Sequence, residues 1–335
     1  GAQGFALGRL APGFNPRRTR VGRAILLESR TPPLDAAALT GTCALCYRHP
    51  RTLGKGSRAV RIDRVAEDIH VFISGIYAQV TATALTTPAG AIVVDTLPLP
   101  LESRQIVSFI ESQLGPNSVR YVILTHHHAD HVYGAYLFPE AEVIAHDRCR
   151  DILERAGQAS LARARRETPA LAEVSLRLPD ITFDKEMHIH LAHRDLHLFY
   201  TPGNSADGIS IMVADEKVLI AGDTVMPVPH IVRGDYQRLI ETLQKVKELQ
   251  PNFVVQGHGD VLLKGEVDEA IDSSIEYLHI IAERVQDLVR RGAPPQQLRQ
   301  IDIEDCGKSR IPLDGLVSRL HLDNLVALYR AFRED

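Results

Sequence analysis

Four histidines and an aspartate fall within six consecutive positions of this chain, His126-His127-His128-Ala129-Asp130-His131. They follow Thr125 and the apolar run Tyr121 to Leu124, and they precede a segment, Val132 to Phe138, whose pattern predicts a helix. A strand end that runs into a helix start projects alternate side chains into one cavity. Imidazole with carboxylate is the donor set that holds zinc or a similar divalent ion. The competing reading is a solvated polyhistidine turn.

Three further segments argue against that reading, because each also lies directly after a predicted strand. They are Thr201-Pro202-Gly203-Asn204-Ser205-Ala206-Asp207-Gly208, Ala221-Gly222-Asp223-Thr224 and Gln256-Gly257-His258-Gly259-Asp260. Strand ends in a layered α/β fold converge on one edge, so Asp223 and His258 can reach the cavity that the histidines line. Asp95, which closes the strand Ala91 to Val94, is a candidate to orient a ligand imidazole from behind.

The rest of the chain divides into three stretches. Residues 1–64 are rich in Arg, Pro and Gly without sustained periodicity and read as an irregular N-terminal extension. Residues 65–262 alternate short β-rich runs with helical stretches, in two halves of similar style. The first half has runs from Ile69 to Ala145, with a helix near Leu101 to Gln113. After the charged helical stretch Asp147 to Arg166, the second half has runs from Met187 to Val255. Residues 263–335 take helical spacing through Ile271, Ile275, Leu278, Ile281, Val285 and Leu288, and on to Leu325, Leu328 and Phe332. This helical C-terminal extension is expected to form a cap, a lid or the surface of a homodimer.

Composition narrows the function. The 335 residues are 44% hydrophobic and 24% charged, which excludes disordered and collagen-like readings. Lys and Arg number 38 against 42 Asp and Glu, a net charge of -4, so no basic field serves nucleic acid or anionic lipid. No run approaches the roughly 20 apolar residues of a membrane-spanning helix. A small-molecule substrate is the expected partner. A cytoplasmic location is favoured; because the chain opens Gly1-Ala2-Gln3, removal of a signal peptide is the alternative.

The H-x-H-x-D-H string followed in order by P-G-x-S, G-D-T and G-H-G turns resembles the metallo-β-lactamase superfamily over about residues 65–262. The resemblance implies a four-layer αβ/βα sandwich with metal ions at one edge. It implies that His126 and His128 belong to a first metal site. Asp130, His131 and His258 belong to a second, and Asp223 bridges the two. The chain departs from the family at Asn204, where most members carry the third histidine of the first site. An amide oxygen is a weak zinc ligand beside imidazole. The expectation is therefore one firmly bound zinc in the second site, with a second, weakly bound divalent ion as the alternative. Hydroxide made available by the zinc at neutral pH is the expected nucleophile. Asn204, His126 and His128 are then free to hydrogen-bond substrate or relay protons, with Asp130 also part of the catalytic set.

Other candidates are weaker. Cys43-x-x-Cys46 with His49 offers only part of a structural zinc site, unless two chains share the ion. His188, His190, His193 and His197 read as ordinary surface histidines, and His230 as either a mouth-lining or a structural residue. Thr201 and Ser205 read as turn-fixing groups. No serine-nucleophile elbow, P-loop or dinucleotide fingerprint is present.

The leading function is thus a metal-dependent hydrolase. The P-G-N-S-A-D turn is similar to that of the hydrolytic chlorothalonil dehalogenases, single-zinc members of the superfamily, and implies replacement of an aromatic chlorine by hydroxyl. With no Trp in the chain, ring stacking there falls to Tyr77, Tyr133 or Tyr136. Lactam, lactone and thioester hydrolysis are the alternatives, and a non-catalytic or redox di-metal module is the alternative of another class.

Overall fold

Runs of β-branched residues punctuated by tight turns build the first sheet of the computed structural model, which describes residues 60–334. Strands β1 (Arg61–Ala66), β2 (Ile69–Ile73), β3 (Thr81–Thr87) and β4 (Gly90–Val94) form an antiparallel meander. Helix α1 (Pro100–Leu114) then carries the chain across to β5 (Val119–Ile123), which pairs parallel to β4, as such a pairing requires a crossover. After the short helix α2 (Ala129–Val132), β6 (Glu142–His146) adds in parallel. Helices α3 (Asp147–Ile152) and α4 (Gln158–Glu167) then lead to β7 (Ile181–Phe183), the seventh strand of the sheet.

The second sheet has six strands, β8 (Glu186–Leu191), β9 (Arg194–Tyr200), β10 (Ile209–Val213), β11 (Val218–Gly222), β12 (Phe253–Gln256) and β13 (Leu262–Leu263), in the spatial order β13-β12-β11-β10-β9-β8. Only β11 and β12 pair in parallel, and helix α5 (Tyr236–Glu248) is their crossover. Helices α6 (Lys264–Arg290) and α7 (Val317–Glu334) complete the chain.

The side-chain alternation sets the layers. Along β4, Ile92 and Val94 join Ile211, Ile220 and Val255 of the second sheet in a core between the sheets. Ala91 and Val93 point the other way, onto Ile106 and Ile110 of α1. On the outer face of the second sheet, Leu219 and Val254 meet Leu239 and Leu243 of α5, Ile271 and Leu278 of α6, and Leu325 of α7. Each such buried aliphatic side chain contributes about 2 kcal/mol. The result is helix, sheet, sheet, helix: the four-layer sandwich expected from the sequence. The C-terminal helices share one apolar cluster with α5 and thereby extend the outer helical layer.

Three local differences from the sequence reading have physical reasons. Strand β1 begins at Arg61, inside the stretch read as irregular, because alternating charges on an exposed edge strand hide its pattern. The helix expected over Val132 to Phe138 starts earlier, at Ala129, and tightens to a 3₁₀ turn over Tyr133–Leu137. A Cβ at Gly134 would lie 2.3 Å from the Thr96 carbonyl oxygen, so this turn packs closer than a regular helix allows. Helix α5 went unread in the gap between strands; its start is capped by the Asp235 side chain, which accepts from the Gln237 and Arg238 amides. No helix among the described residues is long and apolar enough to cross a membrane.

Candidate metal centre

The ligand candidates sit at strand ends or, for Asp130 and His131, on the short helix α2, and three of the histidines are aimed by partners behind them. At the end of β4, Asp95 takes a positive φ of 57° that turns its carboxylate toward β5. Its Oδ1 accepts from the Thr125 amide at 2.8 Å. Its Oδ2 accepts from the Thr125 hydroxyl at 2.7 Å and lies 2.8 Å from Nδ1 of His131. That contact leaves His131 Nε2 facing the cavity. His258 is aimed the same way, with Nδ1 2.9 Å from the Ala78 carbonyl oxygen. Thr125 Oγ1 lies 3.0 Å from His126 Nδ1. His127 turns away and is pinned by buried Asp207, which accepts from its amide and meets its Nδ1, both at 2.8 Å.

Asp223, at the end of β11, stands between two groups of ligands. Its Oδ1 lies 3.2 Å from His131 Nε2 and 3.5 Å from His258 Nε2. Its Oδ2 lies 3.4 Å from His126 Nε2 and 3.7 Å from His128 Nδ1. Asp130 Oδ2 closes the first of these groups, 3.4 Å from His258 Nε2. The residues thus cluster as Asp130, His131 and His258 on one side and His126 and His128 on the other, with Asp223 between. Gly257 makes this possible, because a Cβ there would lie 2.1 Å from Asp223 Oδ1.

The donor set fits a cation. Nε2 of His126, His131 and His258, both ring nitrogens of His128, and both carboxyl oxygens of Asp130 and Asp223 are buried without a hydrogen-bond partner. Each such atom costs about 1–3 kcal/mol unless a ligand satisfies it. The electrostatics agree. Burial would raise Asp130 and Asp223, yet the surrounding histidines hold both carboxylates below their usual range. Burial would lower His131, yet Asp223, Asp95 and Asp130 raise it well above its ordinary value. Burial and neighbouring His126 push His128 down to about 3, the neutral form a ligand must have. These residues can hold a divalent metal ion.

Asn204 commits its amide nitrogen to the protein and keeps its oxygen open. Its Nδ2 donates to the His230 carbonyl oxygen at 2.9 Å, which leaves its Oδ1 buried without a partner. The loop that carries His230 is held from the other side by Asn324 of α7. Asn324 Nδ2 donates to the Pro229 carbonyl at 2.6 Å, and its Oδ1 accepts from the Ile231 amide at 2.9 Å. His230 itself is 2% exposed, with neither ring nitrogen paired. Burial pushes its pKa down to about 4, with only partial opposition from nearby Asp223.

Beside Asp130 opens a small cleft bordered by Tyr77, Tyr133, Leu99 and Leu171, and no Lys or Arg is among its lining residues. Tyr136 does not line it. The loop bearing Tyr77 is organised by buried Glu102, which accepts from the Ser74 hydroxyl at 2.7 Å and the Gly75 amide at 2.9 Å. Thr201 and Ser210 face each other at 3.0 Å beneath the turn. Cys43, Cys46 and His49 lie outside the described residues. Sequence reasoning assigned no role to Glu102, Asp207 or Asn324; only the acidic end of the P-G-N-S-A-D turn could have signalled Asp207.

A family model described as Metallo-beta-lactamase superfamily matches residues 76–258. A Caenorhabditis elegans protein named Beta-lactamase-like protein 2 homolog is 24% identical over 201 residues, 59% of this chain and 61% of its own length. A hydroxyacylglutathione hydrolase of Rhodopseudomonas palustris is 26% identical over 134 residues, 39% of this chain and 45% of its own length. The chain therefore spans only part of these relatives. The inverting sec-alkylsulfatase Pisa1 from Pseudomonas sp. superposes with a TM-score of 0.63 at 15% identity, covering 81% of this chain and 50% of that one. That likeness speaks to the fold alone.

Proposed function

The chain belongs to the metallo-beta-lactamase superfamily, and from that premise we propose a zinc-dependent hydrolase that exchanges chloride for hydroxyl on a small, electron-poor aromatic substrate. The observation that carries this reading is the mouth beside Asp130, bordered by two tyrosines and two leucines with no Lys or Arg among its lining residues. Such a surface suits a neutral ring, which would stack on half-buried Tyr77 and need no charged anchor. In the net reaction a C–O bond forms from water, the C–Cl bond breaks with its electron pair, and the water's proton is released.

Asp130, His131, His258 and Asp223 would hold one zinc, which supplies Lewis acidity and lets water ionise near neutral pH. His128, kept neutral by burial, would hydrogen-bond the substrate. Asn204 Oδ1 accepts a hydrogen bond from the attacking or incoming group. His230, also neutral and with both ring nitrogens unpaired, would donate a ring N–H to the departing anion. Asp95 keeps His131 in the tautomer whose Nε2 carries no proton.

A second reading is acyl-glutathione hydrolysis, favoured by the relative named hydroxyacylglutathione hydrolase. The test is chloride release from a chlorinated aromatic nitrile beside thiol release from an acyl-glutathione, each with metal-loaded protein. Chloride release supports the proposal; thiol release without chloride replaces it with the second reading.

A further inference from the structure

We propose that Glu186, His188 and His197 form a second metal site, on the surface of the β8–β9 hairpin, for an imidazole-preferring divalent ion such as zinc, nickel or copper(II). The strands pair so that Glu186 faces Phe199, His188 faces His197 and His190 faces Asp195. Ile189, Leu196 and Leu198 point the other way, into the core between the sheets. The histidine pair therefore projects from the outer face of β8 and β9, at the edge of the six-stranded sheet, with β10 between them and the β11 end that carries Asp223.

The donor atoms of the three residues lie close enough together for one ion to gather them. The His188 and His197 rings are parallel to within 1°, with centroids 4.5 Å apart. Glu186 Oε2 lies 3.1 Å from His197 Nε2. One donor atom from each of the three residues falls within 4.8 Å of the others. A tetrahedral ion with ligand bonds of about 2.0–2.2 Å needs donors roughly 3.3–3.6 Å apart, so the His188 and His197 rings must turn out of their parallel stack to converge on it, which exposed His188 and half-buried His197 have room to do on the outer face. Imidazole pairs completed by a carboxylate favour zinc, nickel and copper over magnesium or calcium.

The platform is fixed where it needs to be. Arg194, beside the hairpin turn, donates to Asp68 in the β1–β2 turn at 2.9 Å and to Glu216 at 2.5 Å, and His193 Nε2 lies 3.1 Å from Asp68. His190 does not compete, because its Nδ1 lies 2.5 Å from Asp195 Oδ1 on the neighbouring rung. Three donors leave a fourth position open to water, so the site would bind exchangeably, unlike a closed structural centre.

The test is calorimetric titration with Ni²⁺ of the full chain carrying its resident ion, with copper(II) paramagnetic resonance on the same samples. The wild type should bind one more ion per chain than the His188→Ala/His197→Ala double variant. The affinity of that added ion should fall more than about tenfold in either single variant, since loss of even an outer partner costs on that order. His279→Ala, which removes an exposed histidine of α6, should leave the titration unchanged. Resonance should show nitrogen ligands that the double variant lacks. Equal stoichiometry and affinity in wild type and double variant would overturn the proposal, and so would an equal loss in His279→Ala. The resident ion and turnover play no part in this readout, so failure of the hydrolase reading would leave the result interpretable.

Discussion

Asp95→Asn isolates the contribution of the carboxylate behind His131. Asp95 accepts three contacts, from the Thr125 amide, the Thr125 hydroxyl and His131 Nδ1, at 2.8, 2.7 and 2.8 Å. Asparagine keeps one acceptor oxygen and can hold the Thr125 amide, and the Thr125 hydroxyl can rotate to accept. His131 has no such escape. To present a bare Nε2 to a metal its Nδ1 must carry the proton, and that N–H would face the new NH₂ group. Either the ring turns away or the proton moves to Nε2 and blocks the ligand. One charge-assisted hydrogen bond is worth about 1.5–3 kcal/mol. At about 1.4 kcal/mol per tenfold change, metal affinity should drop roughly 10- to 100-fold. Competition against a chromophoric chelator reads this directly, with circular dichroism as the check that the variant is folded. An unchanged metal affinity in a folded variant would refute the argument that Asp95 acts through His131.

Asp223→Ala should lose metal and turnover together, because the carboxylate faces both ligand groups; elemental analysis and the hydrolysis assay decide it. Asn204→His should raise metal occupancy toward two per chain, whereas no gain would mean that His126 or His128 is held elsewhere. Gly257→Ala should destabilise the fold by about 2 kcal/mol or more, since its methyl overlaps Asp223, and a urea midpoint measures that. Lys308, which donates to Ser274 at 3.0 Å, is pushed down to about 8 by burial. Between pH 8 and 10.5 the unfolded chain binds a proton the folded one has released, so stability rises with pH across that window. Lys308→Met should therefore stabilise at pH 7 by on the order of 1–2 kcal/mol, with the gain shrinking by pH 10.

The layered fold was legible because its strands are short apolar runs closed by turn residues, and because the sequence breaks after Leu124, Ala221 and Val255 all carry metal-type side chains. Strand ends of one sheet or of facing sheets share an edge, so the positions of His126, Asp223 and His258 could be inferred together. The partners that aim them were harder to read. Asp207 meets His127 from 80 positions away, marked only by its place at the acidic end of the P-G-N-S-A-D turn, and Asn324 reaches Ile231 across 93 with nothing in its local pattern to mark the contact. Asn204 shows the limit most clearly. Its residue type signalled a lost ligand, but its bond to the His230 carbonyl depends on a loop placed by α7. Helix α5 was missed for a simpler reason: its apolar stripe at Leu239, Leu243 and Val246 is diluted by five charged residues, Arg238, Glu241, Lys245, Lys247 and Glu248.

The central claim is that Asp130, His131, Asp223 and His258 together hold one catalytic zinc. Elemental analysis of the purified protein beside Asp223→Ala tests it most directly. The account predicts one tightly held zinc per chain in the wild type and none in the variant. Two irons per chain, or zinc retained in full by Asp223→Ala, would contradict it.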